Sequence, residues 1–147
     1  MLSIEPPVIV ATRTIQQGPN IEQFYQRICR SLDRMPVELT LEVGDEATNA
    51  RVFTFRAVDK NRGAVICPCL LHVWVSTTAG GAPGGTQTAA WGTGVVVQEI
   101  AANQSWLVRT DGSGVAVLTL TVSGAGTRHV SGSIGGPVLD SGAVAWA

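Results

Sequence analysis

The sequence predicts a mainly β protein: an antiparallel β-sandwich, immunoglobulin-like or jelly-roll-like, preceded by an extended arm and one short helix. Three observations carry that prediction. From Val37 onward, apolar and polar residues alternate in short runs, the period of strands with one buried face. Glycine-rich turns separate the runs, and Gly63–Ala147 holds 15 of the 17 glycines. The only helical pattern precedes the strands, which disfavours a parallel βαβ topology. Residues 1–36 are thus expected to form an arm and helix, and residues 37–147 the sandwich domain.

The arm is expected over residues 1–19. Glu5-Pro6-Pro7 opposes both helix and central strand. Val8, Ile9 and Val10 supply apolar contact, and Pro6 and Pro7 pre-extend the chain, which lowers the entropy lost on binding. Gly18-Pro19 reads as a break. The helix is expected over residues 21–34, with Asn20 as N-cap and Gln23 as its capping-box partner. Ile21, Phe24, Tyr25, Ile28 and Leu32 share one face, and Pro36 stops the helix.

Eight strands are expected: 37–43, 52–58, 70–76, 94–100, 105–109, 115–122, 127–134 and 138–146. Residues 77–94 read as one long glycine-rich loop, a length that is usually functional or disordered. Val73, Val75, Leu107, Leu118 and Leu120 are expected in the core, with Trp74 and Trp106. Trp91, in the loop, and Trp146, near the end, are the candidates for contact surfaces, because tryptophan is enriched at hot spots.

Composition narrows the function. Gly63–Ala147 carries five charged side chains, Glu99, Arg109, Asp111, Arg128 and Asp140, too few to assemble an evident catalytic constellation. Net charge is −1, which leaves no basic field for nucleic acid. No apolar run reaches the roughly 18 residues of a membrane span, so no membrane is expected as partner. Mean hydropathy is +0.24 with 45% apolar residues, an excess that a neighbouring protein would cover. Nine of the ten cations are arginines, which suit ordered interfaces. The three cysteines, Cys29, Cys67 and Cys69, with no signal-peptide pattern ahead of them, point to free thiols made in a reducing cytoplasm.

The candidate motifs read as structural. Cys67-Pro68-Cys69 lacks the two further ligands of a tetrahedral zinc site; only Cys29 and His72 lie near, at no zinc-family spacing, so no metal is expected. His72 and His129 are single strand histidines. Gly132-Ser133-Ile134-Gly135 is not the Gly-x-Ser-x-Gly elbow of a hydrolase. Gly80–Gly85 lacks the helix and the Gly-Lys-Ser/Thr of a phosphate loop. Glu42, Asp45 and Glu46 read as a solvated turn. No enzyme activity and no cofactor are expected.

The run Val37-Glu38-Leu39-Thr40-Leu41-Glu42-Val43-Gly44-Asp45-Glu46 opens a series of turn-and-strand motifs. It continues through Asp59-Lys60-Asn61-Arg62-Gly63, Leu70-Leu71-His72-Val73-Trp74-Val75-Ser76 and Trp106-Leu107-Val108-Arg109-Thr110-Asp111-Gly112-Ser113-Gly114. It closes with Thr121–Arg128 and Ser141-Gly142-Ala143-Val144. This block, about three-quarters of the chain, resembles a group of small proteins encoded among the head genes of tailed bacteriophages. The resemblance implies a virion structural protein: a capsid decoration or cement protein on the capsid exterior, assembled in the host cytoplasm. Its implied partners are the major capsid protein and copies of itself. Immunoglobulin-like domains of tail fibres share the same grammar. A carbohydrate- or surface-binding β-sandwich module of a phage tail or cell-surface protein is the alternative. The interaction candidates are Pro6, Pro7, Val8, Ile9, Val10, Phe24, Tyr25, Trp91 and Trp146.

Overall fold

A computed structural model describes residues 18–33 and 35–147. The chain divides into two compact units, Met1–Arg34 and Met35–Ala147. The arm residues Pro6, Pro7, Val8, Ile9 and Val10 lie outside the described residues.

The first unit contains helix α1, Gly18–Asp33. It starts earlier than the expected cap at Asn20, which instead falls inside the first turn. The physical reason is Pro19: near a helix start its missing N–H costs nothing and its φ is already helical. Gln26 and Arg30 pair at i,i+4, with a hydrogen bond of 3.5 Å, and Arg30 near the C-terminal end complements the helix dipole.

The second unit holds ten strands: β1 (Glu38–Val43), β2 (Ala50–Val58), β3 (Leu70–Ser76), β4 (Thr88–Thr93) and β5 (Val95–Ala101), then β6 (Ser105–Arg109), β7 (Val115–Thr121), β8 (Gly126–Ser133), β9 (Leu139–Asp140) and β10 (Val144–Trp146). One sheet has the order β1-β2-β7-β4; the other runs β10-β8-β3-β6-β5, with β9 also on β8. Every pairing is antiparallel. The fold is the expected antiparallel sandwich.

Register places the core. In β2 and β7, Phe53 lies opposite Leu118 and Phe55 opposite Ala116, and all four are fully buried. Leu71, Val73, Val75, Trp106, Val108 and Val130 face them from the second sheet. A one-residue slip would turn each set to solvent. The same parity corrects two expectations. With Val73 and Val75 inward, Trp74 must point outward; with Trp106 and Val108 inward, so must Leu107. Both are half-buried and outside the core cluster.

The expected loop at 77–94 is also corrected. Its second part is β4, which pairs with β7 and turns Ala89 and Trp91 toward the core. Gly94 then carries the chain across to β5 in the other sheet. Its φ is +88°, and a Cβ there would stand 2.9 Å from the Arg109 carbonyl oxygen, so glycine makes this corner possible. The remaining loop is pinned. Trp74 Nε1 donates to the Gly81 carbonyl at 3.3 Å, Gly84 N to Val75 O at 2.9 Å, and Arg128 Nη2 to Thr86 O at 3.0 Å. The expected last strand, 138–146, divides into β9 and β10 around Ser141-Gly142-Ala143, where Gly142 takes a φ of +76°.

Candidate interaction surface

Three aspartates and one arginine of the sandwich build its turns. Asp59 Oδ1 accepts from the Asn61 and Gly63 amides at 2.8 and 2.9 Å. Asp111 Oδ1 accepts from those of Ser113 and Val115 at 2.9 and 3.0 Å. Asp140 Oδ1 takes the Gly142 amide at 2.7 Å. Each is a side chain standing in for a backbone acceptor at a reversal. Arg128 clamps the loop before β4 through Gln87 Oε1 and Thr86 O.

The histidines sit in hydrogen-bonded groups. His129 Nδ1 donates to Asp140 Oδ1 at 3.2 Å, and Ser131 Oγ donates to Asp140 Oδ2 at 3.0 Å. The serine proton is therefore directed at the carboxylate, not at the imidazole, and Ser131 is fully buried. That is a clamp between β8 and β9 rather than an activated nucleophile. Burial would raise the Asp140 pKa, but the Gly142 amide, His129 and Ser131 outweigh it and hold the carboxyl below its ordinary 3.8. His72 Nε2 lies 3.1 Å from the buried Ser105 Oγ, and its ring packs 4.8 Å from Trp74 on the outer face of the second sheet. Among the described residues no group of three or more His, Cys, Asp or Glu is placed to hold a metal ion. No described helix is long and apolar enough to cross a membrane. A shallow groove of about 190 Å³ lies among Glu38, Leu39, Pro137, Val138 and Leu139. It falls below the roughly 300 Å³ at which ligand pockets begin.

Exposed apolar surface is the prominent feature. On α1, Ile21, Phe24, Tyr25 and Ile28 form a stripe at helical spacing, and all four are exposed, Tyr25 at 67%. Phe24 and Tyr25, both interaction candidates, therefore lie on this face. In the sandwich unit, β5 is an edge strand of its sheet, opposite β10. Val95, Val97 and Ile100 are each more than half exposed, and Val96 is exposed as well. Glu99, the one charge in β5, turns its carboxylate back to the Asn103 amide at 2.8 Å. An edge strand usually carries lysine, proline or outward charge against unwanted pairing. β5 has instead two register irregularities in its pairing with β6, one between Val96 and Gln98, the other between Glu99 and Ala101.

Two candidates are corrected. Trp146 is a core residue, 3% exposed, with its ring centre 6.3 Å from that of Phe53. Trp91 is half-buried between Phe55 and Trp106, at 6.4 and 5.7 Å. Both indole N–H groups are buried with no acceptor among the described residues. Tryptophans at a loop and a chain end look exposed in a sequence; here β4 and β10 turn them inward. The ridge on β5 was the missed feature. Its signal was present: Val95-Val96-Val97 breaks the alternation seen in β7, so apolar side chains must leave both faces of an edge strand.

No protein-family model matches this chain, and no curated protein sequence is found to be similar to it.

Proposed function

We propose that the chain is a virion structural protein, a capsid decoration or cement protein that binds the outer capsid surface and associates with copies of itself. The single observation that carries this reading is the uncovered apolar edge of β5. An edge strand offers unpaired backbone N–H and C=O groups, and the Val95, Val96, Val97 and Ile100 side chains add apolar area beside them. A second copy brings the same apolar strand, whose one charge, Glu99, is turned back onto the Asn103 amide of its own chain. In this reading the arm and the α1 stripe attach to the major capsid protein. Asp59, Asp111, Asp140 and Arg128, engaged in turns and clamps, fit a part whose task is shape.

The test has two arms. Light scattering of the purified chain should show an oligomer that Val97→Lys with Ile100→Lys converts to monomer without altering the melting temperature. Cryo-electron microscopy of particles mixed with the chain should show repeated density on the capsid exterior. A wild-type monomer that fails to decorate particles, or one that binds glycans instead, overturns the reading.

A further inference from the structure

The β2–β3 connection holds a chemical feature that a purely structural role does not use. Cys67 and Cys69 flank Pro68, and their sulfurs lie 3.9 Å apart. Cys67 is exposed and Cys69 is buried. The pair is held in place by the sandwich. Cys69 N donates to Thr110 Oγ1 at 2.7 Å, and Thr110 N returns a bond to Cys69 O at 2.8 Å. Just upstream, Val65 N donates to Ala57 O at 3.1 Å, and Val65 is itself in the core. Cys69 Sγ also donates to the Cys67 carbonyl at 3.3 Å, which keeps the buried thiol turned toward its neighbour. A disulfide needs the sulfurs at about 2.05 Å, so the pair must close further from its 3.9 Å separation.

We propose that Cys67 and Cys69 form a thiol–disulfide exchange site for small disulfides of the glutathione class, with Cys67 the attacking thiol and Cys69 the resolving one. The Cys67 thiolate attacks one sulfur of the incoming disulfide and releases one thiolate. The result is a mixed disulfide on Cys67. Cys69 gives up its proton to solvent and attacks Cys67 Sγ, which expels the second thiolate. The two cysteines lose two electrons, the small disulfide gains them, and the two protons end on the two released thiols.

The asymmetry between the sulfurs sets the direction of control. Burial, together with the hydrogen bond and charge of Cys67, pushes the Cys69 thiol up to about 11, against a smaller opposing effect of Thr110. Solvent reaches Cys67, so the first attack belongs there. Once the bridge has closed, a reducing thiol can reach only the Cys67 sulfur and must expel Cys69. A high-pKa thiol is a slow leaving group.

The test uses the full chain carrying Cys29→Ser. After treatment with oxidised glutathione, its intact mass should fall by two hydrogens. The tryptic peptide Gly63–Arg109 should carry an internal bridge and no glutathione. Adding Cys69→Ala should instead leave one stable glutathione on Cys67. Because that variant opens a gap beside the core, a second measurement uses the parent alone. Phenylarsine oxide, which needs two adjacent thiols, should form a one-to-one adduct on the same peptide. Glutathione retained on Cys67 of the parent, linkage between chains through Cys67, or no arsenical adduct overturns the proposal.

Discussion

Arg51 and Trp146 tie the two sheets of the sandwich together. Arg51 lies on β2 of the first sheet and Trp146 on β10 of the second; the guanidinium carbon stands 5.7 Å from the indole centre. Arg51 Nε also donates to the Ala145 carbonyl at 3.1 Å, and Nη1 to the Gly44 carbonyl at 3.0 Å. One side chain thus satisfies two carbonyls and covers an aromatic face. Arg51→Ala should cost about 1–2 kcal/mol, the scale of a cation–π contact plus charge-assisted hydrogen bonds. Arg51→Lys should recover less than half of it, because an ammonium cannot reproduce the planar fork. Urea unfolding of both variants measures the difference.

Trp146→Ala should be the most damaging change near the end of the chain. It removes a buried ring packed on Phe53, a loss of about 3–5 kcal/mol for large-to-small core substitutions. Trp146→Phe should cost far less, since it keeps ring contact and removes a buried N–H without an acceptor. Thermal unfolding of the two variants side by side separates packing from polarity.

Gly114 allows the turn before β7. Its φ is +74°, and a Cβ would overlap the Val65 carbonyl oxygen. Gly114→Ala should lose about 1–3 kcal/mol from backbone conformation alone, with the overlap adding to it. Gly112→Ala, in the same turn but facing open space, is the control, and its melting temperature should move much less.

The Asp140 clamp predicts acid sensitivity. Its carboxyl is held below 3.8 in the folded state, so its contribution is present above that value and is lost as pH falls through the folded pKa. Between about pH 5 and pH 3 the wild type should lose more stability than Asp140→Asn, which has no carboxylate to protonate. Parallel unfolding slopes for the two chains over that range would remove the clamp from the account.

The sandwich should fold without the first unit. Among the described residues its core cluster runs from Leu39 to Trp146, within the second unit. A chain starting at Met35 should keep the melting temperature of the intact protein and, if the proposed capsid role holds, lose attachment to the particle. Unchanged attachment would move the anchor to the sandwich; loss of folding would move residues 1–34 into its core.

Much of the architecture was legible in the residues themselves. Alternation in Val37–Val43 and Val115–Val122, with Asp-centred turns between runs, determined the strand class, because a period of two admits one buried face. The amphipathic α1 followed from the spacing of Ile21, Phe24, Tyr25 and Ile28. Tertiary structure decided what alternation leaves open: which parity faces inward and which strands lie at an edge. Leu71-His72-Val73-Trp74-Val75 offers apolar side chains to both sides, and only pairing with β6 and β8 turned Trp74 out and Val73 in. β4 was hidden because a Thr-Ala-Ala-Trp-Gly-Thr run has little strand propensity of its own and forms on the ladder supplied by β7. The exposed ridge on β5 and the meeting of Arg51 with Trp146 are likewise products of sheet order. Sequence spacing specifies local period, whereas contacts between residues 95 positions apart exist only once two sheets have closed on each other.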